Sequence, residues 1–132
     1  MKTKIIFTFI TLLIVGVGFI YSEKPTQHVA IARMWHGQTE AAKADEYSAY
    51  LQEQGIKKIQ SIPGNLGVQM FRKKGTETAD FMVISYWESI DAVKKFAGEN
   101  YENVYQLPRD SEFLIHPETK VQHYEVVVNS WK

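Results

Sequence analysis

The chain contains no cysteine. That rules out disulfides, thiolate metal sites, a cysteine nucleophile and a lipid-modified N-terminal cysteine, so the fold must rest on its hydrophobic core. An excess of either charge is also missing: 15 Lys and Arg meet 15 Asp and Glu. Beyond residue 22 the count is 13 basic against 15 acidic residues, a net of −2. Such a balance offers no field to hold nucleic acid or an anionic membrane. There is no repeat, no low-complexity tract and no Gly-x-Ser-x-Gly nucleophile turn. "PGNLG" at 63–67 is too sparse for a phosphate loop and precedes a strand, not a helix. The four histidines, at 28, 36, 116 and 123, show no metal-ligand spacing with carboxylates, so no metal is expected.

What is present falls into two unlike parts. Lys2 and Lys4 precede an apolar run from Ile5 to Tyr21, broken only by Thr8, Thr11, Gly16 and Gly18. A basic start before such a run marks residues 1–22 as a signal peptide or an N-terminal membrane anchor. The run is at the short end of the roughly 17–25 residues that span a bilayer. Gly16-Val17-Gly18 and Ser22 are the candidate cleavage points, and the two readings stay open. Either one places the rest of the chain outside the cytoplasmic membrane. Membrane contact is expected only through residues 5–21, if they are retained. Residues 23–28 read as a linker, and residues 29–132 are long enough for one domain.

Within that domain, 29–36 alternates and is rich in Val, Ile and Trp, which predicts a strand. Thr39 is placed to cap a helix through "EAAKADEYSAYLQEQ", with Ala44, Tyr47, Leu51 and Gln54 on one stripe and Gly55 as its stop. "IPGN" at 62–65 is a turn signal. Strands follow at 66–73 and 80–87, joined through "KGTET". Ser89 caps a second helix whose Ile90, Val93, Phe96 and Ala97 share a face, and Gly98 ends it. Residues 99–118 are irregular, with Pro108 and Pro117 as breaks around a short helix. The last strand is expected over 120–128. This β-α-β-β-α-β order is the ferredoxin-like α+β plan, with an antiparallel sheet. Residues 81–87 (FMVISYW) are apolar at both parities, yet two helices cover only one face of a sheet. The other face therefore calls for a partner, most simply the same sheet of a second copy, giving a homodimer.

The stretches "IARMWHG", "PGNLG", "SYWES" leading into "FAGE", and "VQHYEVV" resemble the antibiotic biosynthesis monooxygenase family, over about residues 28–128. The resemblance implies a ferredoxin-like dimer joined into an α+β barrel. The family spans several activities, and two of them matter here: oxygenation of polycyclic phenols without metal or flavin, and binding and degradation of haem. The haem-degrading relatives place an axial histidine after the second helix, and residues 96–106 contain none. They also use an asparagine on the first strand, which "VAIARMWH" lacks. Trp87 does match their strand tryptophan. Haem is therefore disfavoured, with Tyr105 as the remaining ligand candidate. The expectation is an oxygenase needing no cofactor. The alternative is a non-catalytic dimer that binds a small apolar or aromatic molecule.

Cofactor-free oxygenation needs a phenol or hydroquinone whose anion can reduce dioxygen. It also needs a base, a group that steadies the oxyanion, and a dry pocket. A short strand carrying a cation, an indole and an imidazole among small apolar residues, as "VAIARMWHG" does, suits such a pocket. His36 or His123 is the candidate base, and Arg33 the candidate oxyanion holder. Trp35, Trp87 and Tyr105 are candidate walls for a planar substrate. Asp110 is a candidate for orienting a histidine. Each has a structural reading too. Trp35 and Trp87 suit a core, Arg33 could pair with Glu125, and His123 could be a hydrogen-bonded structural residue. Asp110 could cap the short helix near Ser111, and 99–118 is either a lid or a long connection. Parity adds a constraint: Arg33 and Trp35 point to one face of their strand and His36 to the other.

Overall fold

The computed structural model describes residues 29–131; the signal peptide or anchor expected over 1–22 and the linker over 23–28 lie outside them. Four strands, β1 (Ile31–Glu40), β2 (Asn65–Lys74), β3 (Thr78–Trp87) and β4 (Gln122–Glu125), form one antiparallel sheet in the order β2-β3-β1-β4. The helices α1 (Ala44–Leu51), α2 (Lys57–Ser61), α3 (Ile90–Ala97) and α4 (Asp110–Phe113) complete the ferredoxin-like plan. The period-2 alternation of β3 decides which face is which. Ala79, Phe81, Val83, Ser85 and Trp87 are buried under the helices, while Asp80 between them is exposed.

β1 runs four residues further than expected, because β3 continues beside it to pair Glu40 with Thr78. Thr39, expected as a helix cap, is instead fully buried in this strand. It sits between Ala79 on one side and a bridge to Leu114 on the other, and its hydroxyl donates to the Glu40 carbonyl at 3.0 Å. Two flanking ladders satisfy its backbone, leaving it no capping role.

Gly55 does not stop the first helix. The chain passes from α1 through a π-helical turn, Gln52–Ile56, into α2 and ends at Ser61. The buried residues Tyr47, Leu51, Gly55 and Ile59 follow one another at four-residue steps. In a plain α-helix such steps drift by roughly 40° each, and the wider π turn takes up the excess. The glycine there serves close approach of two leucines and not helix termination. A Cβ on Gly55 would lie 3.0 Å from Leu51 Cδ1 and 3.4 Å from Leu107 Cδ1.

The remaining turn signals hold. In "IPGN" the Asn65 N–H donates to the Ile62 carbonyl at 3.1 Å, with Gly64 at φ 89°, the left-handed position a type II turn needs. Ser89 caps α3 by accepting from the Ala92 N–H at 3.1 Å, and Gly98 closes it at φ 80°. Of the strand expected over 120–128 only Gln122–Glu125 pairs, and a final bond from the Val126 N–H to the Ala30 carbonyl at 2.8 Å ties it down. Val127 and Val128 then run exposed.

The core lies between the sheet and the helices. Tyr47 meets Phe81 edge-on at 5.1 Å and packs on Phe113 at 5.1 Å; Trp87, fully buried, stacks on Phe96 at 5.8 Å. The outer face is different. Ala32, Met34 and His36 of β1 pair there with Tyr86, Ile84 and Met82 of β3, and Phe71 and Tyr124 flank them at 42% and 54% exposure. No described helix packs on that face.

Candidate functional site

Between the sheet and the helices the core is not filled. A cleft of about 60 Å³ remains, mostly apolar. Its floor is Arg33 and Trp35 of β1 with Val83 and Ser85 of β3. One wall is built from α1, the π turn and α2, including Tyr47, Gly55 and Ile59. The other is Phe96 of α3 and the segment after it, through Tyr105, Leu107 and Asp110. That segment crosses the cleft as a strap. It is fastened to the strand side by the Asn103–Lys120 bridge and by bonds from the Val104 N–H to Thr119 (3.0 Å) and from the Val121 N–H to Glu102 (2.9 Å).

Arg33 dominates the chemistry. Its residue is 4% exposed. Among the described residues no carboxylate forms an ion pair with it; every ion pair present involves other side chains at the surface. Its Nη1 donates to the Tyr101 carbonyl and to His123 Nε2 at 3.1 Å, and its Nη2 donates to the Asn103 carbonyl at 3.0 Å. The Phe96 ring lies 5.7 Å from the guanidinium carbon. Burial without a counter-charge pulls its pKa well below the ordinary arginine value, to about 10, which leaves it cationic at neutral pH. The expected alternative, a pair with Glu125, does not form: β4 sets His123 opposite Arg33, and Glu125 lies exposed opposite Ile31. A buried cation satisfied by neutral acceptors alone is an unfilled demand for negative charge.

Asp110 is the second polar group of the cleft. It is 7% exposed; Oδ1 accepts from the Tyr47 hydroxyl at 3.1 Å and Oδ2 from the Leu107 N–H at 2.8 Å. Asp110 is the first residue of α4 and gives that helix no side-chain cap, so the helix-capping role expected near Ser111 is not what it does; its carboxylate instead reaches back and ties the turn that Pro108 starts. No histidine lies against it. Burial raises its carboxyl pKa, and the bonds from Leu107 and Tyr47 partly oppose that rise.

The other candidates divide by place. Trp35 is half-buried on the cleft floor, its ring lying over Gly37, where a Cβ would come within 2.4 Å of Cη2. Tyr105 lines the opposite wall at 4.8 Å from Phe96, and Lys58 Nζ donates to its hydroxyl and lies 4.6 Å from its ring centroid. Trp87 stands behind Phe96 as a core residue, its Nε1 donating to Ser85 Oγ at 2.8 Å. His123 is not on the cleft surface but holds the far side of Arg33, with Tyr101 edge-on at 5.2 Å. Desolvation, and then the charge of Arg33, lower its pKa, with Glu102 opposing. His36 is apart from all of these. It is exposed on the outer face, beside a broad depression of about 430 Å³ shared with Asp80 and His116. Among the described residues no group of His, Asp and Glu is arranged to hold a metal ion.

Sequence reasoning missed Ser85, Tyr47, Phe96 and the π turn as parts of the cleft. Two signals for them were present. Ser85 is a polar residue at the inward parity between Val83 and Trp87, and the Tyr47-Leu51-Gly55-Ile59 spacing is four throughout.

The model of the antibiotic biosynthesis monooxygenase family matches residues 29–101. No curated protein matches the chain. Among solved structures, a putative antibiotic biosynthesis monooxygenase from Bacillus cereus is 16% identical at a TM-score of 0.55, covering 79% of this chain and 99% of that one. A haem-degrading protein from Mycobacterium tuberculosis is 19% identical at 0.55, covering 79% and 98%. A further putative antibiotic biosynthesis monooxygenase, from Nitrosomonas europaea, is 14% identical at 0.54, covering 76% and 93%. At these identities the likeness is one of fold.

Proposed function

Because the chain belongs to the antibiotic biosynthesis monooxygenase family, we propose that it oxygenates a small aromatic hydroxyl compound, a phenol or hydroquinone, without a cofactor. The observation that carries this reading is Arg33, a buried cation without a carboxylate on the floor of an apolar cleft. The substrate hydroxyl meets Arg33, whose Nε–H and remaining Nη2–H have no partner among the described residues, and binds there as the oxyanion. Asp110, on the same cleft with a raised pKa, takes the hydroxyl proton. Trp35, Phe96 and Tyr105 bound the ring plane. His36, on the opposite face, has no part in this step.

The phenolate passes an electron to dioxygen, and the two radicals join at a ring carbon that bears hydrogen, para to the oxygen in a phenol and ortho to it in a hydroquinone, whose para carbon is already hydroxylated. The O–O bond then breaks as that carbon loses its hydrogen as a proton. One oxygen atom stays as the quinone carbonyl and the other leaves as water, so the substrate supplies all four electrons. Haem fits the residues present poorly. His123 Nε2 is taken up by Arg33, the Tyr105 hydroxyl by Lys58, and no histidine lines the cleft.

We also propose that the outer sheet face closes against the same face of a second copy. Its apolar row of Met34, Ile84, Met82, Phe71 and Tyr124 supports this. Ile84→Lys would then shift the protein to monomers in analytical ultracentrifugation. The apolar run over residues 5–21 supports export, or anchoring with the domain outside the cytoplasmic membrane.

The test uses the full chain purified in mild detergent, following dioxygen uptake with hydroquinones and polycyclic phenols. Uptake that resists chelators, yields quinone and falls at least about 100-fold in Asp110→Asn and Arg33→Met supports the oxygenase, a loss typical for removed acid–base or oxyanion groups. Binding of such compounds without uptake would replace it with the non-catalytic binding dimer.

A further inference from the structure

The guanidinium of Arg33 donates to His123 Nε2 at 3.1 Å across the β1–β4 pair. A guanidinium has only donors, so Nε2 must present its lone pair, and the ring proton must sit on Nδ1. The contact therefore exists only with a neutral imidazole. Protonation would place two donors and two positive charges against each other. Nη1 would lose one of its two acceptors, while Nη2 would still hold the Asn103 carbonyl at 3.0 Å. The head group would then pivot about that bond and turn away from its position beneath the cleft.

Resting on the anion-site reading above, we propose that His123 is a positioning residue whose neutral Nε2 aims the Arg33 guanidinium into the cleft, so that the site accepts an aromatic oxyanion only while His123 is unprotonated. It is not the base: its acceptor atom is committed to Arg33, and it has no place on the cleft surface. The groups facing it are few. Arg33 comes from β1; Tyr101 and Glu102 come from the strap. Lys94 of α3 lies on the Tyr101 ring at 5.7 Å, and Lys120 is held by the Asn103 side chain. Glu125, on its own strand, is exposed. Arg33 and desolvation favour the neutral ring and Glu102 opposes it, so the switch lies below the ordinary histidine value.

Charge alone predicts the reverse. A second cation near the site would strengthen anion binding on acidification, whereas loss of positioning weakens it. The probe is 2-naphthoate, an aromatic carboxylate whose charge is constant above about pH 5.5. Its binding to the full chain in detergent would be measured by calorimetry from pH 8 to pH 5.5. The wild type is expected to lose affinity a few-fold over that range and no more than about tenfold, the limit for a group titrating at the ordinary histidine value. His123→Gln keeps an amide oxygen at similar reach and should bind as the wild type does at pH 8, without the acid loss. His123→Leu should be weak at every pH. In the unliganded protein, nitrogen shifts of His123 should report the Nδ1–H tautomer, and its titration should move up in Arg33→Gln.

Affinity that is flat or rises on acidification overturns the inference, as does an Nε2–H tautomer or a His123→Leu variant that binds like the wild type. Those results leave the anion site standing if Arg33→Gln abolishes binding. Should Arg33→Gln bind as well as the wild type, or the wild type not bind at all, the anion-site reading falls and this inference with it.

Discussion

Arg33→Met separates a cation kept for a ligand from one kept for the fold. Arg33 is 4% exposed, and burial lowers its pKa well below the ordinary arginine value, to about 10. A fall of that size is a penalty of about 3 kcal/mol on the charged form. Its bonds to the Tyr101 and Asn103 carbonyls and to His123 offset this, at about 1 kcal/mol each after exchange with water. The two sides nearly cancel. Methionine keeps part of the packing against Phe96 but leaves those three acceptors without their donor, so Arg33→Met should cost about 1–3 kcal/mol of unfolding free energy, a Tm fall of roughly 4–20 °C. It should at the same time abolish binding of an aromatic anion. Near-UV circular dichroism of the full chain during thermal and urea unfolding checks the first half, and calorimetry with the anion checks the second. A loss above about 3 kcal/mol would refute the reasoning, since the guanidinium would then be chiefly a clamp on the strap.

Asp110 gives a pH signature. Its carboxyl pKa is raised in the folded chain, so its contribution is greatest below the ordinary carboxylate value and is lost as pH rises through the raised one. Urea unfolding from pH 4 to pH 7 should show a decline that Asp110→Asn removes. Asp110→Ala leaves the Tyr47 hydroxyl and the Leu107 N–H without their partner and should cost roughly 2–4 kcal/mol. Gly37→Ala places a Cβ within 2.4 Å of the Trp35 ring. It should destabilise the protein by about 1–3 kcal/mol, read in the same unfolding assay, and weaken aromatic binding several-fold as the ring leaves the cleft floor.

The fold was legible because its signals are local. Alternation in 29–36 and 80–87, the Ser89 cap and the "IPGN" turn each name an element without reference to the rest. Parity on β1 likewise separates His36 from Arg33 and Trp35 within the sequence itself. What stayed hidden depends on contacts between distant segments. The length of β1 is set by β3 and Leu114, and the role of Gly55 by Leu107, more than 50 residues away. The neutral surroundings of Arg33 come from two carbonyls in the strap, and no side-chain pattern announces a carbonyl. Asp110 was open between two roles because the turn it ties begins at Pro108, before any helical periodicity starts.

The π turn at Gln52–Ile56 works as a shim one residue thick. A helix without that extra residue would keep Tyr47 and Leu51 on the sheet ahead of it and Ile59 behind it, since the wide turn is what brings the two flanks into a common register. The segment can therefore shorten by one residue with both flanks still seated. What would change is the wall that Gly55 and Ile56 present to the cleft. At this point of the chain, length is nearly neutral for the fold and decisive for the shape of the guest.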